Sequence, residues 1–265
     1  MRQFRVATWN MDSWKRSKAS REFAWRWLQE TVRPDIALLQ EAIPLEGVGQ
    51  VVWKGDGIDR NRPWASAVVS FGPAIKEVRR WKGRYDRSAK DLHQTYPGTL
   101  AIAMIELLHR ASIVVVSMYG MLDDGYASTT VHRLITDLNP LLDSTQGKRV
   151  IIGGDLNCST QFDQPYGRIH QNLFERFEAY GLVNLTRATR NQRSALDDCP
   201  CEEAPDCGHV RTQRHRRSDK PWQTDYILAS HHLAGKVIGC EVVDEGSPNP
   251  WGFSDHCPIV ATFGL

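Results

Sequence analysis

Apolar positions along the 265-residue chain fall into short runs that predict strands, separated by stretches with helical spacing. Residues 5–9 (RVATW) read as a first strand. Residues 21–32 put Phe23, Trp27 and Leu28 on one face at helical spacing, and Pro34 closes that helix. Residues 35–42 (DIALLQEA) form an apolar run of the kind shown by a strand buried on both faces. Residues 65–71 and 100–108 predict two more strands, with a basic stretch at 76–90 between them. The β-branched run 113–118 is a strand, 129–142 is helical, and 150–152 is a strand that ends in glycines. Residues 174–180 predict a short helix ending at Gly181, a residue suited to a C-cap. Residues 223–229 and 258–263 supply the last strands, and the polar, Cys-rich, basic residues 199–221 read as a long loop. Strands outnumber helices and alternate with them irregularly, with no repeat and no low-complexity linker. The expectation is one α/β domain over 1–265, built of layered sheets, with a Cys/Arg-rich loop inserted at about residues 197–221.

Composition changes this picture little. A hydrophobic fraction of 41% with 24% charged residues is that of a chain able to bury a sizeable core, not of a disordered one. No apolar run approaches the length of a membrane span, and the amino-terminal residues lack the apolar core of a secretory signal, so a cytoplasmic protein without membrane association is expected. Nothing points to an obligate protein partner. Net charge is +2, but the basic residues cluster: Arg79, Arg80, Lys82, Arg84 and Arg87 in one stretch, Arg211, Arg214, Arg216, Arg217 and Lys220 in another. Such runs are often only solvated surface. The six cysteines read as reduced thiols or metal ligands, not disulfides.

The chemistry gathers where strands end. Asn10 and Asp12 follow the first strand, Gln40 and Glu41 close the second, and Asp155 and Asn157 follow the glycines of another. Asp225 opens a late strand, and Asp255 and His256 precede the last. One polar residue at a strand end usually just caps an apolar run; five such ends together suggest a site. Hard oxygen donors suit Mg2+ or Mn2+, which take only one or two protein carboxylates and neutralise phosphate oxygens. No activated serine or cysteine motif stands out, so the nucleophile on a phosphodiester would be water, held by Asp155 and Asn157. His256 would donate to phosphate or accept a proton, with Asp225 fixing its tautomer.

TWN with Asn10, LLQE with Glu41, GGDLN with Asp155 and Asn157, TDYILAS with Asp225, and SDHCPI with Asp255 and His256 occur in that order over nearly the whole chain. Together they resemble the ordered motifs of the endonuclease/exonuclease/phosphatase superfamily. The resemblance implies a DNase-I-like four-layer αββα sandwich of two mixed β-sheets flanked by helices. It also implies that Asn10 and Glu41 bind the metal with Asp255 nearby, that Asp155 and Asn157 orient the attacking water, and that Asp225 and His256 act as a carboxylate–histidine pair on the phosphate. Tyr119 falls where abasic-site endonucleases carry a tyrosine near the leaving group, and Asp12 matches an acidic residue after the TWN element.

Which member of the superfamily this is depends on weaker signals. Trp222 precedes Asp225, as a tryptophan does in abasic-site endonucleases. The segment 209–220, dense in Arg and His, runs directly into it. Arg211, Arg214, Arg216, Arg217 and Trp222 are therefore candidate nucleic-acid contacts, fixing register on the phosphate backbone without reading sequence. The chain after Tyr119 reads GMLDDGY, without the proline and asparagine pattern of abasic-site enzymes. The leading expectation is a Mg2+- or Mn2+-dependent nuclease on DNA or RNA. A phosphatase or phosphodiesterase on a small or lipid head-group phosphate is the alternative, and a catalytically dead nucleic-acid-binding module a third. Residues 79–87, with Trp81 and Tyr85 interleaved, form either a second backbone-tracking strip or an exposed arm. Cys199, Cys201, Cys207 and His209 make a CxC…CxH arrangement, suited either to structural Zn2+ or to reduced surface thiols. Cys158 and Cys257 read as packing residues.

Overall fold

The computed structural model describes residues 3–55, 63–106, 112–215, 217–246 and 248–265. Chain order begins β1 (Gln3–Asn10), α1 (Lys18–Trp27), β2 (Ile36–Ala42), β3 (Gln50–Trp53), β4 (Ala65–Ser70) and β5 (Ile75–Glu77). A small hairpin, β6 (Arg80–Trp81) and β7 (Lys90–Asp91), precedes β8 (Leu100–Glu106), β9 (Ser112–Tyr119), α2 (Ala127–Leu142) and β10 (Val150–Asp155). Then come α3 (Tyr166–Ala179), β11 (Leu182–Asn184), α4 (Leu185–Ala188), β12 (Asp225–Ser230), α5 (His231–Ala234), β13 (Val237–Val242) and β14 (Ile259–Gly264).

Two six-stranded mixed sheets result, ordered β13-β14-β1-β2-β4-β3 and β11-β12-β10-β9-β8-β5. Each is built around one parallel pair, β1 with β2 and β9 with β10, flanked by antiparallel strands. The apolar runs are continuous because these strands are buried on both faces. In β1, Phe4 and Val6 enter the core between the sheets, whereas Ala7 and Trp9 turn out beneath α1. In β10, Ile151 faces the other sheet, whereas Val150 and Ile152 lie under α2 and α3. The layers are thus helix, sheet, sheet, helix, as the resemblance implied. Full burial of each Leu, Ile, Val or Phe in these layers contributes roughly 1.5–3 kcal/mol.

The glycines of GGD have a steric reason. A Cβ on Gly153 would lie 2.7 Å from Leu38 Cδ1, in the facing sheet. One on Gly154 would meet the Met118 carbonyl oxygen at 1.9 Å. Buried polar side chains also tie the sheets together. Gln40 Nε2 donates to Ser117 Oγ at 2.9 Å and to the Leu38 carbonyl at 3.0 Å, and Ser117 Oγ donates to the Leu39 carbonyl at 2.7 Å. Such polar groups persist in an interior only when satisfied.

Several expected boundaries shift. α1 starts three residues earlier than expected because Ser17 caps it, accepting from Ser20 N, and residues 28–32 continue as one wide turn. Phe23 is half-exposed and rests on Phe253; Ala24, Trp25, Trp27 and Leu28 are the buried residues. The helix expected at 174–180 begins at Tyr166, because its first half buries only Gly167, His170 and Leu173 and so carries a weak stripe. β10 runs on through the glycines to Asp155. The strand expected over 100–108 is seen to Glu106, and residues 107 and 108 lie outside the described residues.

Candidate active site

Topology brings the motif residues to one end of the sandwich. β1, β2, β9 and β10 all point their carboxyl ends there, delivering Asn10, Glu41, Tyr119 and Asp155. The antiparallel β12 and β14 begin at that same end. The register pairs Asp155 with both Tyr119 and Asp225, and pairs Thr8 with Ile259, so Asp255 and His256 fall just before β14 beside Asn10. Trp9 Nε1 donates to the His256 carbonyl at 2.9 Å, and Ser254 Oγ to the Asn10 carbonyl at 2.7 Å, fixing that turn on β1.

The side chains form one network. Asn10 Nδ2 donates to Asp155 Oδ2 at 2.9 Å and to Glu41 Oε1 at 3.2 Å. Tyr119 OH donates to Glu41 Oε1 at 3.0 Å, and Trp14 Nε1 to Glu41 Oε2. Asp155 accepts from the Asn157 backbone at 2.9 Å and from Asn157 Nδ2 at 3.2 Å. His256 Nδ1 meets Asp225 Oδ2 at 2.8 Å, which leaves Nε2 facing Asp155 Oδ2 at 3.9 Å and Asp255 Oδ1 at 4.0 Å. Glu41 and Asn157 hold left-handed backbone, φ 47° and 49°, a strained state for such residues and one found mostly where function over-determines the geometry.

Burial shapes the electrostatics. Burial, helped by the Asp225 charge and opposed by His256, pushes Asp155 up to about 7. Burial alone would pull His256 down, but the charges of Asp225, Asp155 and Asp255 overcome it and raise it to about 10. These carboxylates favour the charged imidazole, whose Nε2 is turned into the site. Burial, with Asp155 alongside, drives the Cys158 thiol far above its usual range, so this neighbour is an inert thiol.

Not every expected residue joins the network through its side chain. Asp12 also has left-handed backbone, φ 45°, and its carboxylate pairs with Lys15 at 3.0 Å and Arg16 at 2.9 Å; its backbone N–H donates to Asn10 Oδ1 at 3.0 Å. Asp255 stands at the rim, its side chain 37% exposed. Arg211 and Arg214 lie over the Trp251 ring, 5.7 and 4.1 Å from its centroid, and Arg214 N donates to the Asp255 carbonyl at 2.8 Å. Arg217 is exposed, and Arg216 lies outside the described residues. Trp222 packs edge-on against Phe162 at 5.0 Å, beneath Lys220. In the other basic stretch, Arg79 pairs with Glu77 and Arg80 with Asp91.

Three contacts carry no sequence signal. Trp14 on Glu41 is one, and the Trp64 ring against Tyr119 at 5.2 Å is another. The third is Gln213, whose Nε2 lies 3.3 Å from His256 Nε2, while its backbone bridges Trp222 and His256. Only an acidic or polar residue near a motif would have attracted notice, and two of the three are tryptophans.

A buried carboxylate–histidine pair and a second carboxylate held by amides thus share one end of the αββα sandwich. The sequence profile described as the endonuclease/exonuclease/phosphatase family matches residues 7–256, and the chain belongs to that family. No curated protein sequence matches it. Among solved structures, it is similar to the endonuclease domain of TRAS1, a telomere-specific non-LTR retrotransposon, at 19% identity and TM-score 0.64, over 99% of each chain. It is similar to an AP endonuclease from Archaeoglobus fulgidus at 18% identity and TM-score 0.62, over 99% of this chain and 100% of the other. The 3′ phosphatase NExo from Neisseria, bound to product DNA hairpin, aligns at 15% identity and TM-score 0.62, again over 99% and 100%. These likenesses establish the DNase-I-like fold.

Proposed function

We propose that this protein is a divalent-metal-dependent phosphodiester hydrolase that cuts nucleic acid by in-line attack of water. The observation that carries the reading is the single hydrogen-bonded network joining Asn10, Glu41, Tyr119, Asp155 and Asn157, with the Asp225–His256 pair set against it.

The donor set fits a hard cation. Asp155, Asp225 and Asp255 gather around one imidazole, Glu41 is joined to Asp155 through Asn10, and Asp225 Oδ1 is buried with no hydrogen-bond partner. Glu41 would hold Mg2+ or Mn2+, with Asn10 and Asp255 beside it. Bound there, the cation supplies Lewis-acid stabilisation of charge on the phosphate and leaving oxygen.

The chain's own residues do the rest. Asp155, poised near 7, takes a proton from water, and Asn157 holds that carboxylate in place. The water oxygen forms the new bond to phosphorus as the bond to the leaving oxygen breaks, and the leaving oxygen is protonated from solvent. His256, kept charged and oriented by Asp225, donates its Nε2–H to a non-bridging phosphate oxygen. Tyr119 and Trp14 hold Glu41. Asp12 supports this arrangement through the backbone bond to Asn10 and need not be a ligand itself.

Nucleic acid is favoured as substrate by what borders His256. Arg211 and Arg214 lie over Trp251, Arg214 N is bonded to the Asp255 carbonyl, and half-exposed Trp14 stands on Glu41. Interleaved cations and aromatics suit a phosphate backbone with unstacked bases. The test is cleavage of labelled single- and double-stranded DNA and RNA, with Mg2+, Mn2+ or EDTA, by wild type and Asp155→Ala. The reading expects metal-dependent cutting, abolished by the substitution and weakened as salt rises. Hydrolysis of a chromogenic phosphodiester or monoester with no polymer cut would move the substrate to a small phosphate.

A further inference from the structure

We propose that Cys199, Cys201, Cys207 and His209 form a tetrahedral structural zinc site that ties the loop 199–209 down and carries residues 210–214 onto the catalytic histidine. Three of the six distances between the ligand atoms already match the edges of a zinc tetrahedron. Cys199 Sγ is 3.6 Å from both Cys201 Sγ and Cys207 Sγ, and 3.5 Å from His209 Nδ1; all four lie within 4.8 Å of one another. Zinc–sulfur bonds of about 2.3 Å and zinc–nitrogen bonds of about 2.0–2.1 Å at tetrahedral angles require S···S edges of about 3.8 Å and S···N edges of about 3.6 Å.

Apolar packing does not account for this convergence. Cys199 and Cys201 are only half-buried, and the turns between Asp198 and Gly208 contain few apolar residues. The backbone is bent to bring the ligands in. Gly208, between two of them, sits at φ +72°, and a Cβ there would press on Arg187 and Arg190 at 3.1 Å. The surroundings complete a metal site. His209 Nε2 meets Thr160 Oγ1 at 2.9 Å, which orients the ring so that Nδ1 faces the sulfurs. Gln161 Nε2 donates to Cys199 Sγ at 3.3 Å. Three thiolates and a neutral imidazole around Zn2+ carry a net negative charge, and Arg193, which donates to the Gly208 carbonyl at 2.6 Å, stands ready to balance it.

From His209 the chain runs straight to the active site. Val210 N donates to Gln223 Oε1 at 3.0 Å, and Thr212 Oγ1 accepts from both Thr224 N and Asp225 N. Gln213 then reaches His256. Gln161, on the sulfur, also accepts from Gln223 N at 2.7 Å. The metal site itself is independent of the hydrolase reading; only its effect on His256 rests on that reading.

The experiment uses the full chain, purified under reducing conditions. Elemental analysis is expected to give about one zinc per chain, released by a thiol-blocking mercurial and absent from a Cys201→Ser, Cys207→Ser protein. Exchange into Co2+ should give intense tetrahedral d–d bands and a thiolate charge-transfer band, a readout of wild-type protein that survives even if the double variant fails to fold. Hydrogen exchange over residues 210–214 should accelerate when the zinc is removed and recover with Zn2+ but not Mg2+. Metal-free protein with native exchange rates, iron in place of zinc, a disulfide among these cysteines, or a Co2+ spectrum without thiolate charge transfer would overturn the proposal. Loss of nuclease activity with the zinc signature intact would instead count against the hydrolase reading alone.

Discussion

Two ligand clusters of opposite character lie at the two ends of one short segment, residues 209–213. At the far end, Asp155, Asp225 and His256 are almost wholly buried, set on the ends of core strands and surrounded by oxygen donors. At the near end, Cys199, Cys201, Cys207 and His209 offer sulfur and nitrogen on irregular, partly exposed turns. The difference shows where the geometry of each comes from. The oxygen cluster is positioned by sheet register, so it would exist whether or not a cation bound. The thiol cluster has little packing to define it and needs its own ligand to be rigid. Hard donors on a preformed scaffold suit a weakly held, exchanging Mg2+ or Mn2+; soft donors on a loop suit a retained Zn2+.

The sharpest way to break this contrast is at the oxygen cluster. Asp155→Ala or His256→Ala should lower kcat/KM by about 10²–10⁴-fold, measured on whichever polymer is cut, with the fold intact by circular dichroism. A loss below tenfold in both would mean that the chemistry lies elsewhere. Next is the scaffold. Gln40→Leu removes buried bonds between the sheets and should cost about 1–3 kcal/mol, read as a lower urea midpoint at unchanged slope. Trp14→Phe deletes one donor to the Glu41 carboxylate and should cost about tenfold in kcat/KM, as expected for a bond to a charged group, with more Mg2+ needed for half-maximal rate. Gln213→Ala tests the link between the clusters and should cost about fivefold, without loss of zinc. If it instead abolishes activity, Gln213 belongs to the chemistry.

The smallest expected effect concerns pH. Burial pulls His170 below its usual 6.5, against a backbone hydrogen bond with Ser159. The folded state therefore prefers neutral His170. Its contribution to stability is fully present above 6.5 and is lost as the pH falls below that value towards the lowered folded pKa. A His170→Gln protein should accordingly lose less Tm than wild type between pH 7 and pH 5. An identical slope would show that His170 does not titrate differently in the fold.

Much of the oxygen cluster was legible in the sequence because its members sit at the ends of apolar runs. LLQE and GGDLN announce a buried strand and its terminal carboxylate in the same string. Trp14 and Gln213 were not legible. They meet Glu41 and His256 across 27 and 43 residues through tertiary packing, which leaves no local pattern. Edge strands escaped for a related reason: β5, β11 and β13 are short or half-exposed, so they lack the continuous apolar run that marked the centre. The cysteine spacing gave the four sulfur and nitrogen donors but no reason for their link to catalysis. The proposed link runs through Val210 N, Thr212 Oγ1 and Gln213 Nε2, contacts that leave no local pattern in the sequence.

The most direct test of the central claim is to strip the protein of divalent cations with EDTA, restore Zn2+ and remove the excess, and then add back Mg2+ or Mn2+ while following hydrolysis of a labelled phosphodiester. The expected result is no cleavage with zinc alone, full cleavage with Mg2+ or Mn2+, and a rate lowered by about 10²–10⁴-fold with Glu41→Ala or Asp155→Ala. Cleavage that proceeds before Mg2+ or Mn2+ is returned, or that survives both substitutions undiminished, would contradict the account.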